Sequence, residues 1–401
     1  MRRTAETILH ALLWGVVIGA SAFLALRMSA WFDQPSFHWD ARYLMSAADC
    51  LAKGASPYRL DAFFVCWEAR TQTPPRASYV FPPHSLLFAF PLAFFDRPAA
   101  DVLLLTMNGA VFVVLGAWSV MLLRLGGGQD LARWTSVFWL LLALTNTGIL
   151  GSVYLGQFSL LAGTGLVGLA LVVAGAAHRP WTVGLLMAMV KPHLSLLAVL
   201  FALLHRGRAE ARRKALALGV LVAVSLLIFL VDPGFPTSYR EALALHSASQ
   251  YSGVSTPEAL FGLPGMLTVL TPFRALIAIA VAAAMVTAIW LLDTRPRHAH
   301  DATLAAFSVA VILGTMMFPH KSYDFAAYSV VFLVAARQPL AVQGILLLPL
   351  AVVWRPVILD RLDVDQITGT NVALIGLAAG FAALAASAYL HPARRVPPPA
   401  E

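Results

Sequence analysis

Charged side chains are scarce in this sequence. Asp, Glu, Lys and Arg make up 12% of its 401 residues, where a soluble domain carries about 25%. A chain so poor in charge, with 59% hydrophobic residues and a mean hydropathy of +0.76, is solvated largely by lipid. Cysteine is almost absent as well. The two present, Cys50 and Cys66, are too few for a cysteine cluster around a metal. No His-Glu-x-x-His run supplies the other common zinc arrangement, so no metal or other cofactor is expected. Also lacking are a strong internal repeat and a continuous basic face. The second of these absences excludes nucleic acid as a partner, because phosphates must be neutralised by clustered Lys and Arg.

Apolar runs of membrane-spanning length recur from one end to the other. They fall at 8–26, 99–124, 134–150, 158–177, 214–231, 272–292, 302–318, 323–336, 340–354 and 370–390. The first follows a basic start and is read as an uncleaved span rather than a signal peptide. The net charge of +8 resides in segments such as "HRGRAEARRK" (205–214), "TRPRH" (294–298) and "HPARR" (391–395). The positive-inside rule places these in the cytoplasm. One stretch breaks the count. Between His178-Arg179 and His205 a single full span would put two basic loops on opposite sides. Lys191-Pro192, in the middle of "GLLMAMVKPHLSLLAVL", resolves the conflict, since proline interrupts the helical ladder. Two short helices meeting at Lys-Pro-His return the chain to the cytoplasm, their tip buried in protein or facing a water-filled cavity. The expected fold is all-α: a polytopic integral membrane protein, one domain over 1–401, with about twelve transmembrane segments. Residues 27–98 and 232–263 form two non-cytoplasmic loops, and 391–401 a cytoplasmic tail.

Ionisable residues at membrane depth are functional candidates because inserting them is costly, about 2.5–3.5 kcal/mol each. Asp40 opens the stretch "DARYLMSAADCLAKG", whose apolar positions share one helical face and which Gly54 is placed to end. Its carboxylate either caps that helix or serves as a general base at the membrane surface. Lys191 and His193 sit at the proline break. Lys191 either snorkels to the interface or holds an anionic group, and Lys321 and Arg240 are its rivals for that contact. His320 and Asp324 lie four apart, the spacing of one helical face, and either satisfy each other, meet a substrate in a binding or catalytic role or, as the least favoured reading, hold a metal. Tyr79, Phe81 and Pro82-Pro83 read as interfacial anchoring and a helix start, or as a sugar-stacking surface. Gln157 either bonds a substrate hydroxyl or caps a turn.

In order along the chain, several of these motifs resemble glycosyltransferase family 87, C-type membrane mannosyltransferases that use polyprenyl-phosphate sugars. The resemblance rests on Asp40 with Tyr43 three residues on, Gly54-x-x-Pro57-Tyr58, and Tyr79-Val80-Phe81-Pro82-Pro83. It continues through "YLGQFSLL" (154–161), the Gly184–Pro192 segment ending in Lys-Pro, and "FPHKSYDF" (318–325). It implies inverting transfer of a hexose, mannose in the first instance, from a polyprenyl-phosphate donor to a glycolipid or glycan acceptor. The chemistry would take place on the non-cytoplasmic side of a bacterial inner membrane. Asp40 matches the family's catalytic aspartate, and His320 a region lining the same cavity. Lys191, Lys321 and Arg240 become candidates for the donor phosphate, and Tyr58, Tyr79, Gln157, His193 and Asp324 for other substrate contacts. A transporter or flippase of lipid-linked sugars is the alternative. Such proteins commonly pair broken helices in two halves, and only one Lys-Pro break is found.

The charge distribution predicts a simple labelling pattern. In a cysteine-free background, a single cysteine at Ala77 should react with an impermeant thiol reagent on intact cells, and one at Ala209 only after permeabilisation. The reverse order would overturn the orientation.

Overall fold

The structure, a computed structural model, describes residues 2–32, 34, 37–74, 77–125, 130–175, 180–205, 211–248, 300–317, 321–359 and 366–390. Every element among them is helical. The long first helix, α1 (Arg2–Trp31), leads to two shorter ones, α2 (Ala41–Ala52) and α3 (Leu60–Thr71). Helical turns over Pro83–Phe94 include α4 (Leu86–Ala89), and α5 (Arg97–Leu123) follows. Next come α6 (Asp130–Leu144), α7 (Thr147–Leu155) and α8 (Ser159–Val173). The broken pair is α9 (Trp181–Met189) and α10 (Pro192–Leu204), followed by α11 (Ala211–Leu226) and α12 (Phe235–Ala248). The chain then runs through α13 (His300–Met317), a 3-10 segment at Ser322–Tyr328, α14 (Ser329–Ala335), α15 (Leu340–Trp354) and α16 (Gln366–Leu390).

Four stretches are long and apolar enough to cross a membrane: Glu6–Trp31, Arg97–Leu123, Trp134–Leu155 and Ala211–Leu230. Several shorter apolar helices accompany them, α8, α10 and α15 among them. The expected run at 272–292 lies outside the described residues. The run expected at 134–150 is not one helix. Asn146 interrupts it, and its side chain caps α7 by accepting from the Ile149 N–H at 3.0 Å.

At the centre lies α8. All of its residues from Ser159 to Val173 are buried, which suits a helix apolar on every side. It packs against α5, α9 and α10 and against the 3-10 segment. That last approach is close because two glycines permit it. A Cβ on Gly148 of α7 would collide with the backbone of Phe325 and Ala326, and one on Gly163 of α8 with the Ala326 carbonyl. Glycine alone lets α7 and α8 grip the segment at Ala326 from two sides.

The break at Lys191-Pro192 takes the expected form. Lys191, with φ −129° and ψ 79°, leaves helical geometry, and Pro192 starts α10 at a position where its missing N–H is no loss. Neither α9 nor α10 reaches about 30 Å, the depth of a bilayer core. They form a hairpin, because Lys214 of α11 meets both of its ends. Its ammonium lies 5.4 Å from the Trp181 ring at the start of α9 and donates to the Leu203 and His205 carbonyls at the end of α10.

Outside this bundle, α2 and α3 pack together and Cys50 is bonded to Cys66, with Cα atoms 5.7 Å apart. The helical turns after Pro83 leave Leu87, Phe94 and Phe95 exposed, as an interfacial segment would. Arg70 of α3 fixes that segment by donating to the Phe95 carbonyl at 2.9 Å. Alkylation without reductant, followed by mass spectrometry, should find neither cysteine modified. A doubly alkylated protein would exclude the bond.

Candidate functional site

Asp40 sits at the start of α2, and its backbone is held from outside that helix. The N–H groups of His38 and Asp40 donate to the Tyr154 and Leu155 carbonyls at the end of α7, at 2.8 and 3.0 Å. His38 takes a left-handed φ of 54° and is buried. It stacks on Phe37, with ring centroids 3.9 Å apart, and its Nδ1 lies 2.9 Å from the Asp101 carboxylate of α5. Gly156, at φ 70°, permits this approach, since a Cβ there would strike Ala41. Asp40 takes the N-cap position, but its side chain caps nothing. The carboxylate instead turns away from the helix and accepts from Gln157 Nε2 at 2.7 Å. The capping reading is therefore not what the structure shows. Burial pushes the Asp40 carboxyl above the usual carboxylate range. The Gln157 bond and the charges of Lys321 and Lys191 pull the other way.

A second carboxylate gathers the rest. Asp324, 3% exposed, accepts from Lys191 Nζ at 2.8 Å and from Ser159 Oγ at 2.7 Å on one oxygen. Its other oxygen accepts from the Lys321 backbone N–H at 3.2 Å and lies 3.8 Å from His193 Nε2. Lys191, also 3% exposed, does not snorkel to the interface. Its ammonium is directed at Asp324 and stands 4.6 Å from the Tyr323 ring centre and 5.9 Å from that of Phe81. Lys191, His193, Lys321, Asp324, Gln157 and Asp40 thus share one electrostatic neighbourhood, although they come from four separate stretches of chain. His320 lies outside the described residues. Arg240 is exposed on α12.

Tyr58 and Tyr79 stand behind this group. Both are fully buried, with ring centroids 5.4 Å apart. The Tyr58 hydroxyl donates to the Phe81 carbonyl at 2.7 Å, and the Tyr79 hydroxyl bonds Ser85 at 2.7 Å. They brace Phe81, whose ring faces the Lys191 ammonium at 5.9 Å. Sequence reasoning missed three further residues: Ser159, Tyr323 and His246. His246 lies on the last turn of α12, near enough to Asp40 and Lys321 to feel both charges. Burial holds its imidazole below the ordinary value. A lone histidine on a mixed-polarity helix carries no signal of that proximity. Among the described residues no three His, Cys, Asp or Glu side chains converge as a metal site would require. The chain also holds one Asp-x-Asp run, Asp363-Val364-Asp365, which falls outside the described residues.

An all-helical bundle with long apolar helices, a buried ion pair at a broken helix and a carboxylate at the bundle's edge defines a membrane protein built around a polar site. The particular class follows from comparison with known families. A family profile described as glycosyltransferase family 87 matches residues 79–319, and the chain belongs to that family. It is a membrane glycosyltransferase. No curated protein and no solved structure gives a significant match to it.

The buried pair generates a stability prediction. Asp324→Ala leaves the Lys191 ammonium buried without its counter-ion, a loss of about 3–5 kcal/mol. Asp324→Leu combined with Lys191→Met removes both charges and should recover most of that loss. Thermal unfolding in detergent reports both. A double variant no more stable than the single one would show that the charges are not coupled.

Proposed function

We propose that this glycosyltransferase moves a hexose, mannose in the first instance, from a polyprenyl-phosphate donor to a glycolipid or glycan acceptor. The reaction would proceed with inversion on the non-cytoplasmic side of a bacterial inner membrane. The observation that carries this reading is the state of Asp40. It is half-buried, not engaged in capping, and fixed by one amide within electrostatic reach of two lysines. A base that must deprotonate a hydroxyl while an anionic leaving group departs nearby needs both features.

The chemistry follows from the residues. As Asp40 takes the proton of the acceptor hydroxyl, that oxygen bonds the sugar's anomeric carbon. The bond from this carbon to the phosphate oxygen breaks on the opposite face. The departing phosphate gains charge, and Lys191 and Lys321 are the cations positioned to stabilise it. Asp324 holds Lys191 and the Lys321 backbone in register, so its part is orientation. Phe81 offers the cluster an aromatic face. The lipid tail of the donor would stay between helices, which explains a base placed where the chain leaves the bilayer.

Purified protein offered radiolabelled polyprenyl-phosphate mannose and a panel of glycolipids should form a glycosidic product. Asp40→Asn keeps an oxygen for Gln157 and disturbs no cap, so α2 should persist. The basic carboxylate is lost, and transfer should fall by about a hundredfold or more. Asp49→Asn, later in α2, loses only a 3.4 Å contact to Arg70 and should act mildly. Near-normal turnover in the Asp40 variant would sink the base assignment. Movement of the labelled lipid across vesicles with no product formed would instead support a flippase.

A further inference from the structure

Gln157 is held by its main chain as firmly as any residue near the site. Its N–H donates to the Ser152 carbonyl at 2.8 Å, and its own carbonyl accepts from Ser152 Oγ at 2.8 Å. The same hydroxyl oxygen accepts from Leu160 N at 2.9 Å, at the start of α8. The backbone is clamped across the α7–α8 turn, and from it the side chain reaches toward Asp40. It is buried, and only its Nε2 is engaged, by Asp40 Oδ2 at 2.7 Å. Oε1 has no hydrogen-bond partner among the described residues. Against an ionised carboxylate only the NH2 end of an amide can face inward. A buried carbonyl left unbonded costs free energy, and the charge-assisted bond to Asp40 is what offsets it.

We propose that Gln157 is a positioning residue that gives the two oxygens of Asp40 different roles, Oδ2 anchored and Oδ1 the oxygen that takes the proton. The proposal rests on Asp40 acting as the base. The acceptor O–H bond breaks as its oxygen joins the anomeric carbon, the electron pair of the old carbon–oxygen bond leaves with the phosphate, and the proton ends on Oδ1. The anchor survives the step, because Oδ2 of the protonated acid is a carbonyl oxygen and still accepts from Nε2. Gln157 also favours the ionised form of a carboxyl that burial would otherwise neutralise. Lys321 and Lys191 act in the same sense and Asp324 in the opposite one. Tyr323 and His246 also lie within electrostatic reach of Asp40, and the His38–Asp101 pair braces the backbone two residues earlier. None of these changes when Gln157 alone is replaced.

The test reads Asp40 without any substrate. A hydrophobic carbodiimide modifies buried carboxyls in their protonated form, and mass spectrometry of the Asp40 peptide over a pH series gives a labelling midpoint. In the purified full chain, Gln157→Leu should raise that midpoint by about one pH unit or more, the loss of a hydrogen bond to a charged group. Gln157→Glu, which sets a second carboxylate against the first, should raise it further. In the transfer reaction the Leu variant should lose kcat at unchanged KM for polyprenyl-phosphate mannose, with its acidic limb moved up in parallel. Coincident midpoints in all three proteins, or labelling in none, would overturn the proposal. Turnover of Asp40→Asn separates the two ideas: normal turnover there, with shifted midpoints in the Gln157 variants, would remove the base reading and leave the anchor standing.

Discussion

A carboxylate and an ammonium withdrawn from water together cost several kcal/mol each in lost hydration, and their attraction repays this only when the remaining donors and acceptors are also satisfied. Asp324 and Lys191 meet that condition, with Ser159 Oγ and the Lys321 backbone N–H completing the carboxylate. Satisfying it requires three distant parts of the chain to converge: the start of α8, the break between α9 and α10, and the 3-10 segment before α14. The rest of the bundle is arranged so that this can happen. α7 and α8 present glycines where the 3-10 segment must come close, and α8 is buried on all sides to receive it.

Irregular backbone accumulates at the same level. The end of α7, the Lys191 break and the 3-10 turns all carry peptide groups that a regular helix would have paired internally. Lipid cannot pair them, so such segments must be enclosed by protein or face water. Gathering several in one place lets them satisfy one another, as the His38 and Asp40 N–H groups do with the carbonyls that end α7. The site is polar because the helices stop there. It is rigid because each stop is bonded to its neighbour.

Much of this could be read from the residues, and what could not has physical causes. The broken helix was legible because proline leaves no alternative and two basic flanks demanded a return. Asp40 was legible as a candidate but not as a free carboxylate. A helix-start aspartate reads as a cap, and only the geometry shows its side chain turned toward Gln157. The interruption at Asn146 was lost inside an apolar run, since hydropathy does not register a capping side chain. Tyr58 and Tyr79 drew attention through motif spacing, yet their hydroxyls are bonded within the protein and their rings support Phe81. Ser159 and His246 gave no signal, because their importance lies in what the fold brings beside them.

The hairpin of α9 and α10 also acts as a ruler. Its base is fixed where Lys214 meets Trp181 and the His205 carbonyl, so the distance from that base to Lys191 follows from the lengths of the two arms, nine residues and thirteen. One residue added to either arm would advance the tip by about 1.5 Å and rotate it by roughly 100°, taking the ammonium away from Asp324. Substitutions on the lipid-facing positions of the arms, such as Val183 and Leu200, leave that distance unchanged, whereas an insertion or deletion does not. A change of arm length would therefore disturb the ion pair even where every side chain on the arms is kept.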